Sequence, residues 1–348
     1  MAATGSPLLA VPDDLLTRVL VGIPRADHGG AAAVCRNFRA VISGPRFPRL
    51  RREFGFAERA VVLVETEAYH KDNTELHGLI NVHTAGAVAS VSVGLKSSVR
   101  ATESTTDGGA RMFVCTARSE GENEVFAVDA SRRRWKHFAT LPVRHQRAHC
   151  MEWHGGLLYV AGGSSTNDYL SSLHAFNEVT GLWETLPSMP HGTFCASSAI
   201  IGDQLFVLGG YSHVDGHMGN FSSILQIYDI PNRTWRMGAS GHGEYAPLHV
   251  VDGKLFQHEF HAAGSFLWMY DPQSDTWTDF LGPPRRGGCL CSCVHNGRIV
   301  VFYPDDEAWE RDTDGTWCPY DAPEASIPEA IYDFNTNTLV AFGSVLLG

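Results

Sequence analysis

Five tryptophans, Trp135, Trp183, Trp235, Trp277 and Trp317, fall 48, 52, 42 and 40 residues apart, and each closes a segment written to one plan. An apolar strand comes first, then a polar break, a further strand, a turn and the tryptophan. The plan is most complete where Leu157-Leu158-Tyr159-Val160-Ala161-Gly162-Gly163 leads to Trp183 and where Leu205-Phe206-Val207-Leu208-Gly209-Gly210 leads to Trp235. A period of about 40 to 50 residues is that of a four-stranded propeller blade, a unit that buries its faces only against its neighbours. The expected fold is mostly β, with a β-propeller over residues 57–348.

The units align strand by strand. Ala60-Val61-Val62-Leu63-Val64 is a continuous apolar run, as a strand covered on both faces requires. Met112 to Cys115, Leu157 to Ala161, Leu205 to Leu208, Gly253 to Phe256 and Ile299 to Phe302 hold the equivalent inner place in later units. The strand after each carries Val125 to Asp129, Leu173 to Asn177, Ile227-Tyr228-Asp229 and Met269-Tyr270-Asp271. Its terminal Asp or Asn opens a turn, because the short side chain bonds to backbone two residues on. The tryptophan that follows is large enough to fill the space between adjacent blades. Remnants stand at both ends, Ala60 to His83 and Ile331 to Phe342. Pairing the last strand with the first ones closes the ring, removes both sheet edges and brings the expected count to six blades.

Residues 8–52 read differently. Val11-Pro12-Asp13-Asp14 places a proline and two carboxylates at a helix start, where negative charge favours the helix dipole. Leu15, Leu16, Val19, Leu20 and Ile23 recur at helical spacing, and Pro24 ends the run. A second helix is expected from Ala31 through Ile42, with Val34, Phe38, Val41 and Ile42 on one stripe and Gly44-Pro45 as its stop. So short a helical segment buries little surface alone and needs a partner or a neighbouring domain.

Composition narrows the function classes. The 348 residues are 44% hydrophobic and 19% charged, which suits a packed core and not a disordered chain. A net charge of −11 argues against nucleic acid, since phosphate binding takes clustered Lys and Arg. The basic runs at Arg49 to Arg52 and Arg132 to Arg134 read as solvated turns or helix ends. No stretch approaches ~20 consecutive apolar residues and no basic start precedes an apolar core, so neither membrane nor export is expected, and the cytosol or nucleus is. Eight cysteines show no C-x-x-C pair, so neither a zinc knuckle nor a disulfide framework is expected. The sequons at Asn220 and Asn232 are then chance matches.

The spacing of Val11, Pro12, Leu15, Leu16, Val19, Leu20, Pro24, Val34, Cys35, Phe38, Ile42 and Phe47 resembles the F-box. Phe38 stands where that family usually has tryptophan, Val11 where it has leucine, and Gly29-Gly30 weakens the middle helix by about 1 kcal/mol per glycine. The Gly-Gly doublet, aromatic-Asp pair and tryptophan of residues 57–348 resemble the kelch repeat, most strongly from 143 to 280. Ala117-Arg118, His258-Glu259 and Tyr303-Pro304 replace the doublet elsewhere. A single N-terminal F-box ahead of a kelch propeller is similar in layout to the plant-type F-box/kelch family. That resemblance implies a non-catalytic, cofactor-free substrate receptor of an SCF-type ubiquitin ligase. Val11, Pro12, Leu15, Leu16, Val19, Leu20, Pro24, Val34, Cys35, Phe38 and Ile42 would hold a Skp-type adaptor and through it a cullin scaffold. The propeller would hold a protein target.

On a kelch propeller the loops joining blades and those after the doublets share one rim. Here they carry Arg144, His145, Arg147, His191, Tyr211, His213, Tyr245, Arg285 and Arg286, a mixture suited to an acidic or polar peptide. Enzymatic patterns are weaker. Cys289, Cys291 and Cys293 alternate on a strand with no fourth ligand at a known spacing, and read as small buried residues. His258-Glu259-Phe260-His261 is one residue short of zinc-protease spacing and lies at a strand end. Arg311 to Trp317 is similar to the Asp-box turn of sialidase propellers but out of register, and no carboxylate pair for glycoside hydrolysis stands out. Two alternatives remain: a metal-dependent oxidase or specifier-type enzyme on the same propeller, which seventeen histidines keep open, and a kelch scaffold without adaptor binding.

Overall fold

The computed structural model describes residues 13–23, 27–44, 46–56, 58–71, 75–84, 91–95, 99–106, 111–118, 123–129, 134–143, 150–164, 168–214, 217–242, 248–261, 264–284, 291–303, 308–312, 314–320 and 340–347. The chain divides into two compact units, Met1–Ala60 with Leu346–Gly348, and Val61–Val345.

Four short helices make the first unit: α1 (Asp13–Val21), α2 (His28–Val34), α3 (Arg36–Ile42) and α4 (Phe47–Glu53). The single helix expected over Ala31–Ile42 is broken at Cys35, whose backbone is extended (φ −158°, ψ 169°). The seven residues of α2 include two glycines, and the helix has neither a side-chain cap nor a fully buried residue, so little holds it continuous with α3. Leu16, Leu20, Val21 and Phe47 form the core, with Ile23, Phe38, Val41, Ile42 and Leu50 packed around them. Buried Arg51 ties α4 to the end of α1. Its guanidinium donates to the carbonyls of Val21 (2.7 Å), Ile23 (2.5 Å) and Phe56. The Val21 carbonyl is one that a helix end leaves without an intrahelical partner, and a charged donor binds such groups strongly.

The second unit is a β-propeller. β1 (Glu58–Lys71), β2 (Glu75–Thr84) and β3 (Val91–Leu95) begin it. One blade then follows from β4 (Val99–Thr106), β5 (Arg111–Arg118), β6 (Glu124–Asp129) and β7 (Arg134–Thr140), and another from β8 (Cys150–His154), β9 (Leu157–Ala161), β10 (Leu173–Asn177) and β11 (Leu182–Leu186). The next begins after a two-residue strand, β12 (Thr193–Phe194), and comprises β13 (Ser197–Ile201), β14 (Gln204–Leu208), β17 (Leu225–Asp229) and β18 (Thr234–Gly238). Between β14 and β17 it extrudes a hairpin, β15 (Tyr211–Val214) and β16 (His217–Phe221), which joins β12 in a separate three-stranded sheet. The last two blades are β19 (Leu248–Val251), β20 (Lys254–His261), β21 (Gly264–Asp271) and β22 (Thr276–Leu281), then β23 (Cys291–His295), β24 (Arg298–Phe302), β25 (Ala308–Arg311) and β26 (Trp317–Pro319).

Among the described residues five blades are thus each built from one stretch of chain. The remaining four-stranded sheet is composite, because the C-terminal strand β27 (Val340–Leu347) lies beside β1 in the order β27-β1-β2-β3. Joining the chain ends in one sheet leaves fewer open strand edges, which is the usual reason for such a closure.

The runs read from sequence as inner strands are the second strands of their blades. The first strands β4, β8, β13, β19 and β23 contact one another in succession and line the centre. Apolar clusters fill the spaces between blades: Phe113, Val125, Met151, Leu158 and Phe176 in one, Tyr159, Leu173, Leu205, Val207 and Tyr228 in the next, and Phe206, Leu225, Leu255 and Tyr270 in a third. The third-strand aromatic and the tryptophan are cross-strand partners, Phe176 with Trp183, Tyr228 with Trp235 and Tyr270 with Trp277, their rings 5.0 to 5.2 Å apart. The Asn or Asp after that aromatic holds its turn: Asn177 Oδ1 accepts from Val179 N–H, Asp229 Oδ1 from Asn232 N–H and Asp271 Oδ1 from Gln273 N–H, each at 2.9 Å.

Candidate functional site

The two Gly-Gly doublets meet at one residue. The N–H of Gly163 donates to the Thr193 carbonyl at 2.8 Å, and the Thr193 hydroxyl donates to the Gly209 carbonyl, also at 2.8 Å. Both doublets have positive φ, and the approach is too close for a side chain. A Cβ on Gly162 would lie 2.5 Å from the Thr193 oxygen, and one on Gly210 2.6 Å from the Phe194 oxygen. The doublets therefore do more than turn the chain. They bring the loop between two blades against the loops that follow each second strand, and so assemble one rim.

On that rim four rings run in series. Tyr169 faces Phe194 at 4.9 Å, Phe194 stacks on Tyr211 at 4.9 Å, and Tyr211 meets Phe221 at 4.0 Å. Phe194 with Tyr211 and Tyr211 with Phe221 are also cross-strand pairs of the small sheet, which fixes their order. Phe221 is exposed at the end of the row. Beside it, the buried Gln226 brackets the backbone of His191: its Oε1 accepts from His191 N–H at 2.8 Å and its Nε2 donates to His191 O at 3.1 Å.

Of the residues expected at the rim, His191 and Tyr211 are brought to this surface, and His213 lies on β15 two residues beyond Tyr211. Arg144, His145, Arg147, Tyr245, Arg285 and Arg286 lie outside the described residues. The sequence reading missed Tyr169, Phe194, Phe221 and Gln226. Each had a signal, since the loop after each doublet and the loop joining those two blades carry aromatics and Gln226 is a polar break in the apolar run Leu225 to Tyr228.

The helical unit sorts the expected adaptor residues into two sets. Leu15 (50% exposed), Val19 (66%) and Val34 (63%) project outward, and Cys35 is half-buried. Leu16 (5%) and Leu20 (1%) belong instead to the internal core, with Phe38 and Ile42 packed against them. Leu16 and Leu20 thus hold α1 to its own unit, and the outward set is Leu15, Val19 and Val34. Val11, Pro12 and Pro24 lie outside the described residues.

The centre of the propeller holds polar groups that the pattern did not announce. Glu152 on β8 accepts hydrogen bonds from Ser198 on β13 (2.8 Å) and Thr105 on β4 (3.3 Å), linking the first strands of three blades. Desolvation pushes its carboxyl up to about 7, with the two hydroxyls pulling the other way. Between the last two blades His249 shares a 2.7 Å hydrogen bond with Ser292, and His258 lies near Trp317 with ring centroids 6.2 Å apart. Burial draws His249 down to about 4 and His258 to about 3, so both imidazoles are neutral at physiological pH. Among the described residues no three of His, Cys, Asp and Glu converge as metal ligands.

A four-stranded repeat closed by tryptophan, two glycine doublets and a rim of loops define the kelch class of propeller, and the Kelch motif model matches residues 147–190 and 192–241, the blades of β8–β11 and β13–β18. An F-box/kelch-repeat protein of Arabidopsis thaliana is 25% identical over 314 residues, 86% of this chain and 80% of that one. Another from the same plant is 22% identical over 309 residues, 82% of this chain and 68% of the other. A kelch-like protein of Aspergillus terreus is 32% identical over 140 residues, 35% of this chain and 30% of its own. Two blades of this propeller thus carry the Kelch motif, and the relatives that align along most of the chain are named F-box/kelch-repeat proteins.

Proposed function

We propose that this protein is the substrate-recognition subunit of an SCF-type cullin-RING ubiquitin ligase, acting in the cytoplasm or nucleus. The observation that carries the reading is the exposure of Leu15 and Val19, one turn apart on α1, while Leu16 and Leu20 fill the core behind them. An amphipathic helix that buries one stripe and still presents a second apolar one is a docking helix. In this reading Leu15, Val19 and Val34 meet a Skp-type adaptor that in turn binds the cullin, and the names of the relatives support it.

The propeller then holds the target at the rim of Tyr169, Phe194, Tyr211 and Phe221, whose rings offer apolar area on a backbone fixed by the doublets. The protein performs no bond chemistry in this role. It raises the effective concentration of target lysines beside the ubiquitin-loaded enzyme, which requires two rigid surfaces in one chain.

Affinity purification of the full chain with the proteasome inhibited tests both halves. Adaptor and cullin should co-purify with wild type, and Phe221→Asp should keep them while losing target proteins. Recovery without adaptor or cullin contradicts the ligase reading, and an unchanged target set with Phe221→Asp contradicts the rim.

A further inference from the structure

Two blades depart from the aromatic rule, and in that of β4–β7 the partner of Trp135 is Val128. The third-strand partner of the blade tryptophan is Phe176, Tyr228 and Tyr270 in three blades, and in the blade of β23–β26 it is Arg311, paired with Trp317. The aromatic at this position packs into the cluster shared with the preceding blade. Where arginine replaces it, a cavity of about 210 Å³ lies between the last two contiguous blades, lined by Val251, Phe256, Met269 and Ile299 with Lys254, Arg298 and Arg311 among the polar groups.

The cations of this cavity are not equivalent. Lys254 is held by Asp271 at 2.8 Å, and Arg298 by Glu310 at 3.0 Å and Asp312 at 3.1 Å. Arg311 instead lies over two rings of the opposite blade, its Cζ 5.4 Å from the centroid of Phe256 and 5.2 Å from that of Phe280. Among the described residues no carboxylate lies within ion-pair distance of it, and its buried Nε has no acceptor. Burial lowers its pKa against the attraction of Asp314, the signature of a charge taken from water without full compensation.

We propose that this cavity is a binding site for a small carboxylate with an apolar body, its carboxylate on Arg311 and its body against Val251, Phe256, Met269 and Ile299. The guanidinium fork matches the two oxygens of a carboxylate in one plane. The carboxylates of Asp252 and Asp312, also in the lining, disfavour a dianion such as phosphate or sulfate. The site accepts a fragment rather than a peptide, because cavities that enclose drug-sized ligands are ~300 Å³ or more. It is separate from the aromatic rim and independent of the ligase reading.

Calorimetric titration of the full chain with sodium benzoate, and with sulfate at matched ionic strength, tests the proposal. Saturable benzoate binding is expected, weaker by about tenfold or more in Arg311→Tyr, a loss of about 1.4 kcal/mol. Arg311→Tyr supplies the ring found at this position in three other blades and should fold. Should it not, Val251→Phe fills the cavity from the other wall with Arg311 intact and is expected to lose binding equally. No saturable benzoate binding to wild type, equal affinity in these variants, or sulfate binding as tightly as benzoate overturns the assignment.

Discussion

The indole N–H of Trp277 donates to the Ala239 carbonyl at 2.9 Å, and three other blade tryptophans repeat the contact. Trp183 reaches Thr140 at 2.8 Å, Trp235 reaches Pro187 at 2.7 Å and Trp317 reaches Leu281 at 2.9 Å. Every acceptor stands at or just past the end of the preceding blade's outer strand, so each tryptophan ties its own blade to the one before. Replacing Trp277 by Phe keeps a ring against Tyr270 and removes the donor. The expected loss in unfolding free energy is about 1 kcal/mol plus a contribution from reduced packing, measured by urea titration. An unchanged midpoint would mean that the indole bond contributes nothing across the blade junction.

The doublets give a sharper contrast. Gly210→Ala puts a methyl 2.6 Å from both the Phe194 oxygen and the Thr193 hydroxyl, at φ +80°. Gly202→Ala meets nothing within 4 Å, at φ +56°. The second should cost about 1 kcal/mol from backbone strain alone, and the first clearly more, because the rim backbone must also move. Equal losses in thermal melts would show that Gly210 serves only the turn.

Glu152 makes stability depend on pH in the opposite sense to an ordinary paired carboxylate. Its folded value of about 7 lies above the ordinary value of 4.5. Below 4.5 both states hold the proton and pH has no leverage. Between 4.5 and 7 the unfolded chain ionises while the folded one does not, so this group erodes stability by about 1.4 kcal/mol per unit as pH rises. Glu152→Gln should therefore raise the melting temperature at pH 8 and leave it nearly unchanged at pH 4.5. A lower melting temperature at pH 8 would show that the ionised carboxylate, held by Ser198 and Thr105, is the favoured form.

His249 and His258 act at the acid end. Above about 6.5 both are neutral folded or unfolded and contribute no pH dependence. Below it the unfolded chain takes up protons that the fold refuses down to about 4 and about 3, so stability falls by about 1.4 kcal/mol per unit for each histidine. Replacing His258 by Phe, which keeps a ring near Trp317, should reduce the slope of unfolding free energy against pH between 6 and 4.5. Parallel slopes in variant and wild type would remove His258 from the account.

How much was legible in the chain follows from what repeats. The tryptophan spacing, the Asn177, Asp229 and Asp271 turns and the doublets recur, and they carried the blade plan and its rim. The helix break at Cys35 did not show, because the apolar stripe of Val34, Phe38 and Val41 runs through it without interruption. Periodicity placed Leu15, Leu16, Val19 and Leu20 on one helix but did not divide core from surface, since in so short a helix the two stripes adjoin. Glu152, His249 and Gln226 were invisible for another reason: single polar residues inside apolar strands acquire meaning only when another blade supplies the partner. Arg311 was visible only as part of a turn-like run, and its exchange for an aromatic emerged once Trp317 fixed its register.

The central claim is that the helical unit docks on an adaptor through its exposed stripe. The most direct measurement is the affinity of a purified Skp-type adaptor for the full chain and for a Leu15→Asp, Val19→Asp double variant, with the urea midpoint measured alongside. The account predicts a loss of at least about tenfold in affinity with the midpoint unchanged, because both side chains lie outside the core. Adaptor binding that is absent in wild type, or undiminished in the double variant, would contradict it.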